Sequence, residues 1–312
     1  MKRELVECLR CPVCVTRFDL AVAEEEHGEV KTGTLTCQER RHTYQVSRFV
    51  PRFVDADKYA DSFSLQRLYV RKHFSHYRKD TSGDGQFFPT TGFDPEEIKQ
   101  GLTLEIGAGY GRFVDVVQRA GGRIVGVDLS THSIDLAHDF VGLRPNVFLV
   151  QADLFHLPFE PKTFQHLYSI GVLHHTPSTK DAFLAVAPNV KANGRASIWV
   201  YHPDRKRATD VWRHLTARMN HRLLYSFCIA NQVLFSWIRG LPGGWRFSRI
   251  IPGADPRPGR PFWMRVLGDF DNYSPMFAHV HKPAEVVSWF QQAGLTDIRV
   301  LERQTAVTGR GA

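Results

Sequence analysis

The sequence predicts an α/β protein built on a doubly wound, mostly parallel sheet. Two observations carry this. Between Leu102 and Tyr201, short apolar runs alternate with amphipathic helical stretches, the pattern of parallel strands whose crossovers cover both faces of a sheet. The stretch "LEIGAGYGRF", residues 104–113, places Gly107, Gly109 and Gly111 between the first apolar run and the first helical stretch. In a sheet of this kind, ligands meet the chain at such strand-to-helix turns.

The elements follow in order. "LTLEIG" is a strand, and "GRFVDVVQRAGG" is a helix with Phe113, Val116 and Val117 on one side and glycines at its end. "RIVGVDLS" is a strand, "THSIDLAHDFVG" a helix and "NVFLVQAD" a strand. "TFQHLYSIGVLHH" contains a fourth strand, "TKDAFLAVAPNVKANG" is helical in its first part, before Pro188, and "RASIWVY" is a fifth strand. Upstream, residues 55–100 form a connecting region. Its aromatic and basic part reads as a helix, with Phe63, Gln66, Leu68, Tyr69, His73 and Tyr77 spaced so that several share a face. "TSGDGQFFPTTGFDP" reads as a loop, and Asp94-Pro95-Glu96-Glu97 as a helix start capped by Asp94.

Downstream, residues 203–268 read as a helical insertion. Leu223, Phe227, Ala230, Leu234 and Ile238 share a face that suits core packing, with a substrate lid or an interfacial helix as the sharper alternative. "DFDNYSPMFAHVH" gathers Asp271, Tyr273, His279 and His281, either as groups that reach a pocket or as hydrogen-bonded loop struts. "PAEVVSWFQQAG" is a helix and "TDIRVLE" a strand.

The 312 residues carry a formal net charge of +8, with 43% hydrophobic and 23% charged residues. The positive charge is scattered, so it favours anionic partners without marking a nucleic-acid site. Met1–Arg10 lacks the apolar core of a signal sequence, and the apolar run 223–238 is broken by Asn231 and Gln232. We expect a cytoplasmic protein with no transmembrane segment.

Four of the five cysteines fall near the start: Cys8, Cys11, Cys14 and Cys37. Cys11-x2-Cys14 and Cys37-x4-His42 form two knuckles, each able to aim two ligands at one point, and the charged "EEEHGEVKTG" between them suits a hairpin tip. Four such ligands suit one tetrahedral, structural zinc ion. Reduced, unliganded thiols are the alternative, and Cys8 is a spare ligand. Cys228 lies in an apolar run and reads as a small core residue.

The glycine turn fits two cofactor classes. A dinucleotide fold wants G-x-G-x-x-G, which would put its third glycine at position 112, where the chain has Arg112. Glu105 beside the turn favours a positive group rather than a phosphate. S-adenosylmethionine, which carries an ammonium and a sulfonium and no phosphate, fits better.

These motifs resemble the class I S-adenosylmethionine-dependent methyltransferases, of the type 11 kind, over residues 102–201. "LEIGAGYGRF" is similar to the first motif of that family, with Glu105 at its acidic position. "VDLS" places Asp128 at the acid that takes the ribose hydroxyls, and "QADLFHLPF" places Asp153 and Leu154 at the adenine. "YSIGVLHHTP" is similar to the fourth motif, at the active-site floor. The resemblance implies a Rossmann-like sheet of seven strands, completed after the insertion by the last helix, "TDIRVLE" and an antiparallel strand around "QTAVTG". It also implies a cofactor-binding set of Glu105, Gly107, Ala108, Gly109, Gly111, Asp128, Leu129, Asp153, Leu154 and Ser169. The residues leave alternatives open: Asp128 and Asp153 also suit capping roles, and Glu105 also suits an ion pair. The first 54 residues, through "CPVC", Cys37, His42 and "VPRFV", resemble the zinc-ribbon segment that precedes the catalytic domain in several bacterial methyltransferases, ribosomal-RNA guanine methyltransferases among them. The expected organisation is a zinc-ribbon-like domain at 1–54, a connecting region at 55–100 and a methyltransferase domain at 101–312.

Methyl transfer to an oxygen or nitrogen that carries a proton uses a base. His174 and His175, after the fourth strand, are the candidate bases, with a structural role as the alternative; Tyr201 and His202 are second candidates. The expected acceptor is a small metabolite, methylated at O, N or C. An RNA base is the second reading, and a cofactor-binding scaffold without turnover is the third.

Overall fold

The computed structural model describes residues 1–54, 83–204, 213, 215–238, 261–303 and 305–312. The connecting helix expected before Tyr77 and much of the insertion lie outside them.

Helix α1 (Leu5–Cys8) leads to the antiparallel hairpin β1 (Phe18–Glu26) and β2 (Glu29–Cys37), then β3 (Thr43–Ser47) and β4 (Val50–Arg52). The hairpin tip is His27-Gly28, both at positive φ, as a two-residue hairpin turn demands. Helix α2 (Asp84–Thr91) occupies a stretch expected to be a loop. Tertiary packing overrides its Gly and Pro content: Phe87 is fully buried against Phe93, Phe113 and Tyr168. The helix expected after Asp94 is one 3-10 turn, Glu97–Lys99; the Asp94 carboxylate accepts from the Glu96 amide at 2.7 Å, as an N-cap would, but no longer helix follows.

The expected alternation then appears: β5 (Leu102–Ile106), α3 (Arg112–Arg119), β6 (Arg123–Asp128), α4 (Thr131–Ala137), β7 (Val147–Gln151), β8 (Phe164–Ile170), α5 (Thr179–Val186) and β9 (Val190–Trp199). Helix α3 buries Phe113, Val114, Val116 and Val117, while its outer face carries the Asp115–Arg119 pair at 3.0 Å. Ser130 and Ser178 cap α4 and α5 by accepting backbone N–H bonds. All five residues of β7 are buried, as a strand covered on both faces requires. The insertion contributes α6 (His221–Ile238) and the start of α7 (Phe262–Tyr273), and α8 (Pro283–Gln292), β10 (Thr296–Val300) and β11 (Ala306–Arg310) follow.

The strands form one sheet in the order β1-β2-β3-β4-β7-β6-β5-β8-β9-β11-β10. Its last seven strands are those expected of the Rossmann-like unit, with β11 antiparallel to both neighbours. The sheet does not stop at seven, because the four N-terminal strands continue it to eleven. Arg52 on β4 pairs in parallel register with Gln151 on β7. Its guanidinium also donates to the Gln151 side chain at 2.8 Å and pairs with Asp135 at 2.6 Å. Residues from Met1 to Phe53 share one hydrophobic core with β5–β9 and α8.

The insertion corrects one expectation. On α6 the buried residues are Leu224, Tyr225, Cys228, Asn231 and Gln232, whereas Leu223, Phe227 and Leu234 are 64%, 39% and 57% exposed, and Ala230 is exposed too. The most apolar stripe therefore faces outward; the side chain of Ile238 is not described. The inner stripe is fixed by Gln232, which donates to Asp269 on α7, and by Leu224, Tyr225 and Cys228 packed with Val266, Leu267 and Phe270. Burial pushes the Cys228 thiol well above its ordinary range, in keeping with a core residue. No described helix is long and apolar enough to cross a membrane.

Candidate active site

The carboxyl ends of β5, β6, β8 and β9 open on a cavity of about 410 Å³, within the range of small-molecule sites. The glycine turn forms its floor. Gly107 has φ +79°, and a Cβ there would lie 2.3 Å from the Val172 side chain, so both conformation and space require glycine.

Four amides of this turn are already spent inside the protein. Those of Gly107 and Ala108 donate to the Val127 carbonyl at 2.8 and 2.9 Å, that of Gly111 to Ala108, and that of Gly109 to the Asp128 carboxylate at 2.8 Å. A phosphate site needs such amides free, so this turn is not a pyrophosphate cradle. Asp128 also accepts from the Ser130 amide at 2.9 Å. These bonds fix the carboxylate in the cavity wall. Asp128→Ala removes both backbone bonds and the carboxylate from the cavity wall. Charged hydrogen bonds contribute about 1.5–3 kcal/mol each, so titration calorimetry should show cofactor binding weakened at least about tenfold.

Glu105 is buried, and the Tyr168 hydroxyl donates to it at 2.9 Å. Burial, helped by the Asp128 charge, pushes its carboxyl well above the ordinary 4.5, against the Tyr168 bond and the Arg112 charge. A cationic ligand group restores the ionised form. Folded protein with an empty cavity holds this proton where the unfolded chain has lost it, so stability falls as pH rises above the ordinary carboxylate value of 4.5. Binding a cation there releases the proton, so cofactor affinity rises with pH. Glu105→Gln should flatten both trends in melts and titrations above the ordinary carboxylate value of 4.5.

Of the sequence-derived cofactor set, the cavity wall includes Glu105, Gly107, Ala108, Gly109, Asp128, Leu129 and Leu154. Three others stand elsewhere. Gly111 packs against Ala137 and Val141 at φ +84°. Asp153 caps the turn that follows, accepting from the Phe155 amide at 3.1 Å. Ser169 lies inside the sheet, donating to the Ile106 carbonyl at 3.1 Å.

The two histidines separate in the same way. His175 lines the cavity beside Thr176, Trp199 and Tyr201. Its Nδ1 lies 2.7 Å from the Phe277 carbonyl. A carbonyl only accepts, so Nδ1 carries the proton of the neutral ring and the basic lone pair sits on Nε2. His174 is fully buried behind this wall, its ring 3.6 Å from that of Tyr201. The loop after α7 straps the site. The His279 amide donates to the His174 carbonyl and its Nε2 to the Thr176 carbonyl, while His281 bonds the Tyr201 carbonyl, Thr179 and Glu285. His279 and His281 are therefore struts, Tyr273 is core, and Asp271 joins the cavity wall. His202 lies 3.2 Å from Asp204 and outside that wall. Sequence reasoning missed Gln86, Arg112, Trp199 and Arg303 as lining residues. Arg112 alone had a signal, its place directly after the glycines.

The second cluster is at the N-terminus. The ligand atoms of Cys11, Cys14, Cys37 and His42 all lie within 4.8 Å of one another. His42 Nδ1 is 3.6 Å from the Cys11 sulfur and 3.8 Å from that of Cys37. A tetrahedral ion with S and N ligands sets such edges at about 3.5–3.8 Å, so the donor set and its spacing fit four-coordinate zinc. Cys8, at the end of α1, is not in this cluster.

Residues 104–198 match the family described as a methyltransferase domain. Over those residues the chain carries a methyltransferase domain. Solved structures similar to it include an S-adenosylmethionine-dependent methyltransferase from Mesorhizobium loti, 24% identical over 34% of this chain and 49% of that one, with a TM-score of 0.32. A Haemonchus contortus phosphoethanolamine N-methyltransferase 2 is 16% identical over 64% of this chain and 34% of that one, with a TM-score of 0.39. Human N-acetylserotonin methyltransferase is 14% identical over 83% and 60%, with a TM-score of 0.47. The chain thus spans about half the length of the first and a third of the second. In this methyltransferase domain the matched segment supplies the glycine turn, Asp128 and both histidines.

Proposed function

We propose that the protein transfers the methyl group of S-adenosylmethionine to a small-molecule acceptor at O, N or C, and that the Cys/His cluster holds one structural zinc. The observation that supports the acceptor class is the contact of the cavity wall with the helices of the insertion. Tyr110 of the glycine turn packs into the α6–α7 cluster, and Asp271 of α7 stands in the same wall as His175 and Tyr201. α6 and α7 thus stand over one side of the cavity.

The cofactor supplies an electrophilic methyl on a positively charged sulfur. Glu105 offers negative charge to its cationic part, and Asp128, with two backbone bonds fixing its orientation, takes the ribose hydroxyls. Leu129, Ala152 and Leu154 supply the apolar wall for the base. His175, oriented by the Phe277 carbonyl, accepts the acceptor's proton at Nε2 where the nucleophile is O–H or N–H. The remaining work is alignment, done by the wall of Thr176, Trp199 and Tyr201. Cys11, Cys14, Cys37 and His42 would hold the zinc, which ties the start of β1 to the end of β2 and to β3.

Label transfer from methyl-tritiated cofactor to a metabolite extract and to bulk RNA decides the acceptor class. The proposal expects label in small molecules and weak, salt-insensitive RNA binding. Label in rRNA or tRNA with steeply salt-dependent binding would make it an RNA enzyme, and firm cofactor binding with no transfer to either pool would make it a scaffold.

A further inference from the structure

The cavity holds two guanidinium groups that form no ion pair among the described residues. Arg112, the first residue of α3, and Arg303, in the turn between β10 and β11, both line it. Their partners are neutral. Arg112 Nη2 donates to the Gln86 side-chain carbonyl at 2.7 Å, and Arg303 Nη1 donates to the Thr90 hydroxyl at 3.0 Å. Both partners come from α2, which fixes the two arginines from the same side. Among the described residues no carboxylate lies within 4.0 Å of either guanidinium. The Nε of Arg112 is buried with no acceptor, although each guanidinium carries five donors and an unmet buried donor is costly. Arg303 lies over the Trp199 ring at 4.3 Å. Burial lowers its pKa, and the charge of Arg112 lowers it further, so the two cations feel each other.

Two acids of the cavity are held by other groups. Glu105 accepts from the Tyr168 hydroxyl and Asp128 from the amides of Gly109 and Ser130. Position along the sheet separates Arg303 from the cofactor's ribose end, while Arg112 reaches the cavity from the start of α3, directly after the glycine turn. Trp199 ends β9, three strands from β6 and Asp128, or about 14 Å at ordinary strand spacing.

We infer that Arg112 and Arg303 form an anion seat at the acceptor end, so that the acceptor carries a carboxylate or phosphate oxyanion in addition to the atom that is methylated. This rests on the methyltransferase reading and narrows its substrate class. A planar guanidinium meets either oxyanion with paired N–H donors. Trp199 and Tyr201 beside it offer aromatic walls to the rest of the molecule.

The test uses the full chain loaded with S-adenosylhomocysteine, titrated calorimetrically with benzoate, phenyl phosphate and neutral benzamide. Wild type should bind one of the two anions about tenfold or more tightly than benzamide, and which anion wins names the oxyanion. Arg303→Gln should lose that preference while its affinity for S-adenosylhomocysteine stays within about twofold, and Arg303→Lys, which keeps the charge and guards against misfolding in the first variant, should keep part of it. Equal binding of benzamide and both anions by wild type overturns the anion seat and leaves the methyltransferase reading standing. Parallel loss of anion and S-adenosylhomocysteine binding in Arg303→Gln also overturns it, because the guanidiniums would then hold the cofactor's own carboxylate. Wild type that takes up no S-adenosylhomocysteine overturns both readings.

Discussion

His175→Ala should slow methyl transfer to an O–H or N–H acceptor by about a hundredfold or more, with cofactor affinity little changed. The expectation follows from tautomer and place. The Phe277 carbonyl holds Nδ1 protonated at 2.7 Å, so the neutral ring presents a basic Nε2, and the residue lines the cavity next to Tyr201. His174→Ala should behave differently. That ring is fully buried, 4.2 Å from the His175 ring and 3.6 Å from that of Tyr201. Its loss opens a void and lowers stability, by about 2–5 kcal/mol if it resembles other large-to-small core changes, while the folded fraction stays active. Single-turnover rates set beside thermal melts separate the two. A slow but stable His174 variant with a normal His175 variant would reverse the roles.

Removing the metal ligands should have the largest effect on stability. Wild type should contain about one zinc per chain, and Cys11→Ser, Cys14→Ser together should abolish it. Structural zinc contributes about 10–16 kcal/mol in small zinc-finger peptides. Here β1–β4 also lean on the main sheet, so the loss should appear as early unfolding of the N-terminal strands rather than collapse of the chain. Cys11 and Cys37 are buried in the same core as Phe18 and Phe53, which passes the loss to the β4–β7 junction. Cys8→Ser should leave the zinc content unchanged. Elemental analysis with melts in the presence of a chelator reads these outcomes. Metal-free folded wild type, or full zinc in the double variant, would contradict the assignment.

The parts legible in the sequence were those written in local pattern. The order of strands and helices from Leu102 to Tyr201 follows from alternating periodicity, and the glycine turn from residues that a close contact such as Val172 against Gly107 requires. The Cys11, Cys14, Cys37 and His42 grouping follows from knuckle spacing. What stayed hidden depends on distant partners. The sheet runs on into the N-terminal strands because β4 finds the edge of β7, a pairing that no local pattern announces. Phe87 makes a helix of a Gly- and Pro-containing stretch by packing against Phe113 and Tyr168. On α6 the apolar stripe pointed to the wrong face, because the partner helix α7 offers Asp269 to Gln232. Asp153 and Ser169 have the residue types of ligands, yet backbone bonds nearby take their side chains. Arg303 reaches the cavity from the far end of the chain, where the sequence carries no sign of a site.

The central claim is that this cavity holds S-adenosylmethionine. Its most direct test is calorimetric titration of the protein, first stripped of any bound cofactor, with S-adenosylmethionine and in parallel with NAD. The geometry predicts saturable binding of about one S-adenosylmethionine per chain and no measurable NAD binding, because the amides of Gly107, Ala108 and Gly109 are spent on Val127 and Asp128 and leave no pyrophosphate cradle. Tight binding of NAD, with S-adenosylmethionine failing to saturate, would contradict it.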